Sequence, residues 1–234
     1  MQDHWQLLLR YLELGPHRHE PSLFDVAGYP HRETVYSNLL AFYLDPEREH
    51  GLGSLLLDAL LACVGKDGSG GVQPVTVHRE FVTRRGGRLD LYIETPDHVL
   101  AIENKLFAPL QNDLDDYRAS VEQQRGTTRN CTLILLGLHH LPDALASGFV
   151  SITYPELWQH ARQRLGQRLP RGSAKWLAYL LDFIDTTERL AGAAMELTPR
   201  EQFFIDHHDT LENLLAEHAR FLARLNEQLA QVKT

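Results

Sequence analysis

The apolar residues of this chain change their spacing partway along it, and that change most limits the folds open to it. Up to Val64 they recur at helical spacing, whereas from Val75 to Asn104 they recur at every second position. Three strands are predicted there, Val75–Val82, Arg88–Glu94 and His98–Asn104. In the middle one Leu89, Leu91 and Ile93 share one face, and Asp90, Tyr92 and Glu94 the other. In the third, Leu100, Ile102 and Asn104 oppose Val99, Ala101, Glu103 and Lys105, so apolar residues line both faces. A strand of that kind lies inside a sheet covered on both sides.

The flanking segments supply the cover. Helices are predicted over His4–Leu14, Glu33–Leu44 and Gly53–Val64, with a loop at Gly15–Pro30 and a glycine-rich connector at Lys66–Val72. The second helix stops at Asp45-Pro46, because a residue before proline is pushed out of helical backbone. After the strands come a helix at Pro109–Gln124, a buried strand at Cys131–Leu136 and a shorter one at Phe149–Thr153. Next are helices at Glu156–Gly166 and Lys175–Leu190, then a long one over Pro199–Val232. A crossover helix between strands implies parallel pairing, so the reading is an α/β domain with helical extensions. Its expected parts are an N-terminal helix and loop (1–30), a core (31–190) and a C-terminal helix (191–234). The leucines of that last helix serve packing, a homo-oligomer or a protein partner.

Composition removes other classes. Of the 234 residues 43% are apolar and 23% charged, which excludes a disordered or fibrous chain. No apolar run is long enough to span a bilayer, so no membrane partner is expected. Met1–Leu14 carries Asp3, His4, Arg10 and Glu13 and does not read as a secretion signal, so a cytoplasmic location is expected. Cys63 and Cys131 are expected as buried free thiols in apolar surroundings. They cannot make a Cys₂His₂ zinc site, and the adjacent pairs His139-His140 and His207-His208 cannot each face one metal. Asp67–Gly71 lacks a phosphate-loop lysine and precedes a strand, which also argues against a nucleophile at Ser69.

The net charge is −8, the wrong sign for coating nucleic acid indiscriminately. The cations are unevenly spread, however. Arg162, Arg164, Arg168, Arg171 and Lys175 fall between Leu157 and Leu181 with no acid among them, leaving the rest of the chain at −13. Arg79, Arg84, Arg85 and Arg88 form a second group opposed only by Glu80. Each is ordinarily a solvated face; two on an acidic chain suggest a phosphate backbone as partner.

The residues that carry chemistry lie in the hairpin. A two-residue turn at Pro96-Asp97 pairs positions summing to 193 and sets Asp90 opposite Glu103, with Lys105 on the same face. Cross-strand partners stand about 4.5–5.5 Å apart at Cβ. Two carboxylates that close resist joint ionisation unless a cation lies between them. Mg²⁺ (or Mn²⁺) suits two carboxylates, with the backbone carbonyl of Asn104 as a further ligand. Lys105 would then orient or deprotonate a water, or stabilise phosphate charge. A three-residue loop would instead turn the acids to opposite faces.

Asp90 followed by Glu103-Asn104-Lys105 at the end of an apolar strand resembles the PD-(D/E)xK nuclease superfamily. Ser37–Pro46 (SNLLAFYLDP) with His50-Gly51-Leu52-Gly53 resembles the N-terminal helical signature of one bacterial family within it. Gly87–Ile93 (GRLDLYI) and Ala101–Phe107 (AIENKLF) resemble its core hairpin. Gln111 with Asp113–Tyr117 (DLDDY) is similar to its Q…QLxxY segment, with Asp113 in place of the second glutamine. The likeness spans roughly Glu33 to Leu136. It implies a restriction-endonuclease-like mixed sheet flanked by helices, with Asp90 and Glu103 as metal ligands and Lys105 as the catalytic lysine. It further implies Glu33 as an additional acid and Gln111 as a polar accessory, although an acid at Glu33 also suits the start of any helix. Glu80 is the reserve acid. The expected activity is Mg²⁺-dependent hydrolysis of DNA, with RNA the alternative substrate, and Arg84, Arg85, Arg88, Arg162, Arg164 and Arg168 holding the backbone. The rival is a non-catalytic binding module with the same fold; a glycosidase built on Glu80, Asp90 or Glu103 is a weaker third.

Overall fold

The computed structural model describes residues 2–13, 20–66, 74–107, 112–125, 129–142, 147–193 and 199–232. The chain divides into two compact units, one of Pro21–Gly192 and one of Met1–Glu20 with Ala193–Thr234.

The larger unit is built on a five-stranded sheet in the order β1-β2-β3-β4-β5. β1 (Thr76–Val82), β2 (Arg88–Glu94) and β3 (His98–Lys105) form an antiparallel meander. β4 (Asn130–Gly137) and β5 (Val150–Thr153) continue the sheet parallel to β3. The expected turn is present: the Thr95 N–H donates to the His98 carbonyl at 2.8 Å, and the His98 N–H to Thr95 Oγ1 at 2.9 Å. Pairing runs from Glu94–Val99 to Leu91–Ile102 in the expected register.

The helical spacing of the sequence places α3 (Glu33–Leu44), α4 (Leu55–Cys63), α6 (Tyr154–Arg168) and α7 (Ala174–Ala193) on one face. There Leu91, Ile102 and Leu136 pack with Leu40, Leu57 and Phe183. The other face packs Tyr92, Ala101 and Leu135 against Leu114, Tyr117 and Val121 of α5 (Leu114–Arg125). α4 is buried almost all round, so its one acid needs partners. Asp58 takes a hydrogen bond from Ser54 Oγ at 2.7 Å and an ion pair from Arg168 at 3.3 Å.

Several expectations are corrected. The stretch read as a loop before α3 holds α2 (Leu23–Val26), because Ser22 and Asp25 form a capping box. α5 begins at Leu114, where Asp113 Oδ1 accepts the Asp116 N–H at 3.0 Å; Pro109 lies outside the described residues. Leu89 breaks the expected alternation and joins Phe81 and Tyr92 on the α5 face, while Leu91 and Ile93 keep the other. The switch coincides with Glu80, whose φ of 51° is rare for a residue with a side chain and kinks the edge strand opposite Asp90. Both cysteines are free as expected, but half-buried rather than buried.

In the smaller unit Tyr11 of α1 (Gln2–Glu13) packs its ring 5.6 Å from those of Phe203 and Phe204. The expected single C-terminal helix is two, α8 (Pro199–Asp206) and α9 (His208–Val232), divided at His207. Among the described residues no helix is long and apolar enough to cross a membrane.

Candidate active site

Where β2 and β3 part, Asp90, Glu103, Lys105 and Glu33 come together. Beyond Leu91–Ile102 the Asn104 N–H leaves the ladder and donates to Asp90 Oδ2 at 2.8 Å. Lys105 Nζ stands 3.1 Å from Glu103 Oε1 and 3.9 Å from Glu33 Oε2. Glu33 Oε1 accepts the N–H groups of Leu106 and Phe107, at 2.8 and 2.9 Å. It therefore ties the first turn of α3 to the end of β3, beyond any service to its own helix terminus. Two carboxylates thus lie within 4 Å of one ammonium, and the charge of Asp90 adds to theirs.

Burial makes this costly. The Glu103 side chain is 2% exposed and that of Lys105 12%. Desolvation, then the charge of Asp90, pushes the Glu103 carboxyl up to about 7 in spite of Lys105. Desolvation also raises Asp90, against the Asn104 N–H and Lys105. For Lys105 burial works against the ammonium, but Glu103, Glu33 and Asp90 outweigh it and hold its pKa above the ordinary lysine value. Glu103 Oε2 is buried and has no hydrogen-bond partner among the described residues. No cluster of three or more His, Cys, Asp or Glu side chains among the described residues is gathered closely enough to hold a metal.

A buried polar scaffold holds the strand ends. Asn104 donates its side-chain amide to Ser37 Oγ at 3.0 Å, and its amide oxygen accepts the Tyr154 hydroxyl at 2.9 Å. Ser37 Oγ in turn donates to the Glu33 carbonyl at 3.2 Å. Neither Ser37 nor Tyr154 is singled out by the sequence reading. Ser37 had a signal, since it lies four residues after Glu33 and shares its helix face. Tyr154 had only the Thr153–Glu156 capping box that begins α6 at the end of β5. On the other face the Tyr117 hydroxyl donates to the Arg88 carbonyl at 2.7 Å. A Cβ on Gly87 would stand 2.9 Å from the Tyr117 ring, so glycine is required beside it. His50 is structural: Nδ1 accepts the Leu52 N–H at 2.9 Å, so the proton lies on Nε2, 2.9 Å from the Asp45 carbonyl.

The remaining expected residues fare differently. Gln111 lies outside the described residues. Glu80 pairs with Arg88 at 3.3 Å on the exposed edge, and Arg85 with Asp113 at 2.6 Å. Such open pairs are weak. The Arg84 and Arg85 N–H groups bond to Ser120 and Asp116 of α5, which fixes the β1–β2 turn. The second arginine group has partners on its own and neighbouring helices. Arg162 forms a two-pronged pair with Glu188, Arg168 reaches Ser54 and Asp58, and Arg164 Nη1 donates to the His160 carbonyl. Along α6 these residues stand about 12–21 Å beyond Tyr154 at 1.5 Å rise per residue.

A mixed five-stranded sheet flanked by helices, with its acids and lysine at the end of a central strand, defines a restriction-endonuclease-like α/β protein. The model of the PD-(D/E)XK nuclease superfamily matches residues 21–184, and the chain belongs to that superfamily. No curated protein and no solved structure matches it.

Proposed function

We propose that the protein is a divalent-cation-dependent nuclease that hydrolyses the phosphodiester bonds of DNA. Membership of the superfamily points to nuclease activity; the observation that carries the finer reading is Glu103 Oε2. A buried carboxylate oxygen with no partner among the described residues is costly unless something cationic takes it. Its surroundings fit a hard cation, since Asp90 adds a second oxygen donor and the local charge is negative. Asp90 and Glu103 would hold Mg²⁺ or Mn²⁺, with the Asn104 carbonyl as a further ligand. When bound, such an ion polarises a phosphate and eases deprotonation of water.

The residues of the chain supply the rest. Lys105 is held protonated and buried by its acidic neighbours, so it acts as a fixed cation. It would donate to the phosphate oxygen on which charge develops, or orient the attacking water. The Asn104 N–H fixes Asp90, and the Ser37–Asn104–Tyr154 network fixes Asn104. Glu33 anchors the backbone just after Lys105. Gln111 is the proposed polar accessory. Arg84, Arg85 and Arg88, on the β1–β2 turn and the start of β2, would hold the backbone in place of their weak acidic partners.

Supercoiled plasmid, linear duplex and single-stranded RNA incubated with the protein, with and without Mg²⁺ or Mn²⁺, test the reading. Metal-dependent cleavage of DNA is expected. Cutting of RNA alone would reassign the substrate. A protein that binds no divalent ion and cuts nothing would be a binding module with this fold.

A further inference from the structure

The last helix carries an exposed apolar seam. In α9 (His208–Val232) the residues Leu211, Leu215, His218, Leu222, Leu225, Leu229 and Val232 keep an unbroken 4-3 spacing. A repeat averaging 3.5 residues keeps one seam of a helix against a second helix. Leu214 and Phe221 border the seam and widen it to three positions per heptad, the width of a face that packs. Yet every residue from Glu212 to Leu225 is exposed, Leu215 by 67% and Phe221 by 51%. A lone amphipathic helix gains little in water from its own hydrogen bonds, and most of its stability comes from what it packs on.

We propose that α9 pairs antiparallel with α9 of a second copy of this chain, forming a dimer whose two-fold axis passes beside Phe221. Facing residues of an antiparallel pair have numbers with a constant sum. With a sum of about 440 the seam closes on itself: Leu215 faces Leu225 of the second copy, His218 faces Leu222, and each contact recurs by symmetry. On the flank beside Phe221, Glu217 falls across from Arg224 of the second copy, again twice. A parallel pair on the same seam would set His218 against His218 and would leave Glu217 and Arg224 of the two copies on opposite flanks, without this pairing. The charges therefore select a second antiparallel copy.

Sedimentation of the full chain from about 1 to 100 μM, the range where weak dimers form, tests this. A species of twice 26.7 kDa is expected, and Leu215→Lys with Leu222→Lys should leave a monomer. Glu217→Arg or Arg224→Glu alone should weaken dimerisation about tenfold, since each sets like charges together twice. The two combined should restore it, with helix content checked by circular dichroism. Under oxidation Phe221→Cys should cross-link to its own copy above the wild-type background. A monomer throughout the range, a larger oligomer, or a dimer indifferent to the leucine substitutions would overturn the proposal. So would a double exchange no better than either single one.

Discussion

Replacing Glu103 by Gln should make the metal-free protein more stable at alkaline pH, and the structure sets the size of the gain. The Glu103 carboxyl moves from 4.5 to about 7 on folding, pushed first by burial and then by Asp90. The folded state therefore holds a proton that the unfolded state has released, so stability falls as pH rises from about 4.5 to about 7 and then levels. The displacement corresponds to roughly 3 kcal/mol. Above pH 7 the wild type bears that cost and the Gln variant does not. Lys105 keeps Glu33 as a neighbour in the variant, so its ammonium is not stranded. For a unit the size of Pro21–Gly192 the gain corresponds to roughly 6–12 °C in Tm at pH 8. Urea unfolding of both proteins from pH 4.5 to 8.5 gives the difference curve, in which the titrations of groups not coupled to Glu103 cancel. Adding Mg²⁺ or Mn²⁺ at pH 8 should close the gap: at a hundredfold excess over Kd, binding stabilises the wild type by roughly 3 kcal/mol and the variant far less. A flat difference curve, or a variant less stable at pH 8 without metal, would refute the account of Glu103 as a buried carboxylate awaiting a cation.

Further outcomes are expected. Lys105→Ala should abolish plasmid cleavage yet leave Mn²⁺ affinity, read by calorimetry, within a few-fold of wild type, whereas Asp90→Ala should lose both. Alanine at Arg84, Arg85 and Arg88 together should weaken DNA binding and shallow its salt dependence by up to about three counterions, as read by fluorescence anisotropy at several salt concentrations. Alanine at Arg162, Arg164 and Arg168 should instead cost about 1–3 kcal/mol of stability by stripping the buried Asp58 of its ion pair, with the salt slope of DNA binding unchanged. Burial holds His50 below the ordinary histidine pKa, so its contribution is complete above about 6.5 and is lost as pH falls below that value. His50→Gln should flatten that acid limb of the unfolding curve.

By itself the sequence determined the features that rest on short-range periodicity. The alternation of β2 and β3 and the two-residue turn made the hairpin register legible, because slipping by one residue would turn every buried side chain outward. The register in turn placed Asp90, Glu103 and Lys105 at one end of one pair of strands. α3 was readable to the residue, since Asp45-Pro46 ends it. Tertiary structure decided everything that depends on distant pieces meeting. Composition shows a run of arginines on α6, but only packing shows that Arg162 and Arg168 are matched by Glu188 and Asp58. The positive φ of Glu80, beside which Leu89 changes face, has no local signature, because a side chain in that conformation is held there by its surroundings. Glu33 looked like a helix-end acid until α3 docked and brought it to the backbone of Leu106 and Phe107. Ser37 and Tyr154 became parts of the scaffold only because the buried amide of Asn104, inside a sheet covered on both faces, must find its partners there.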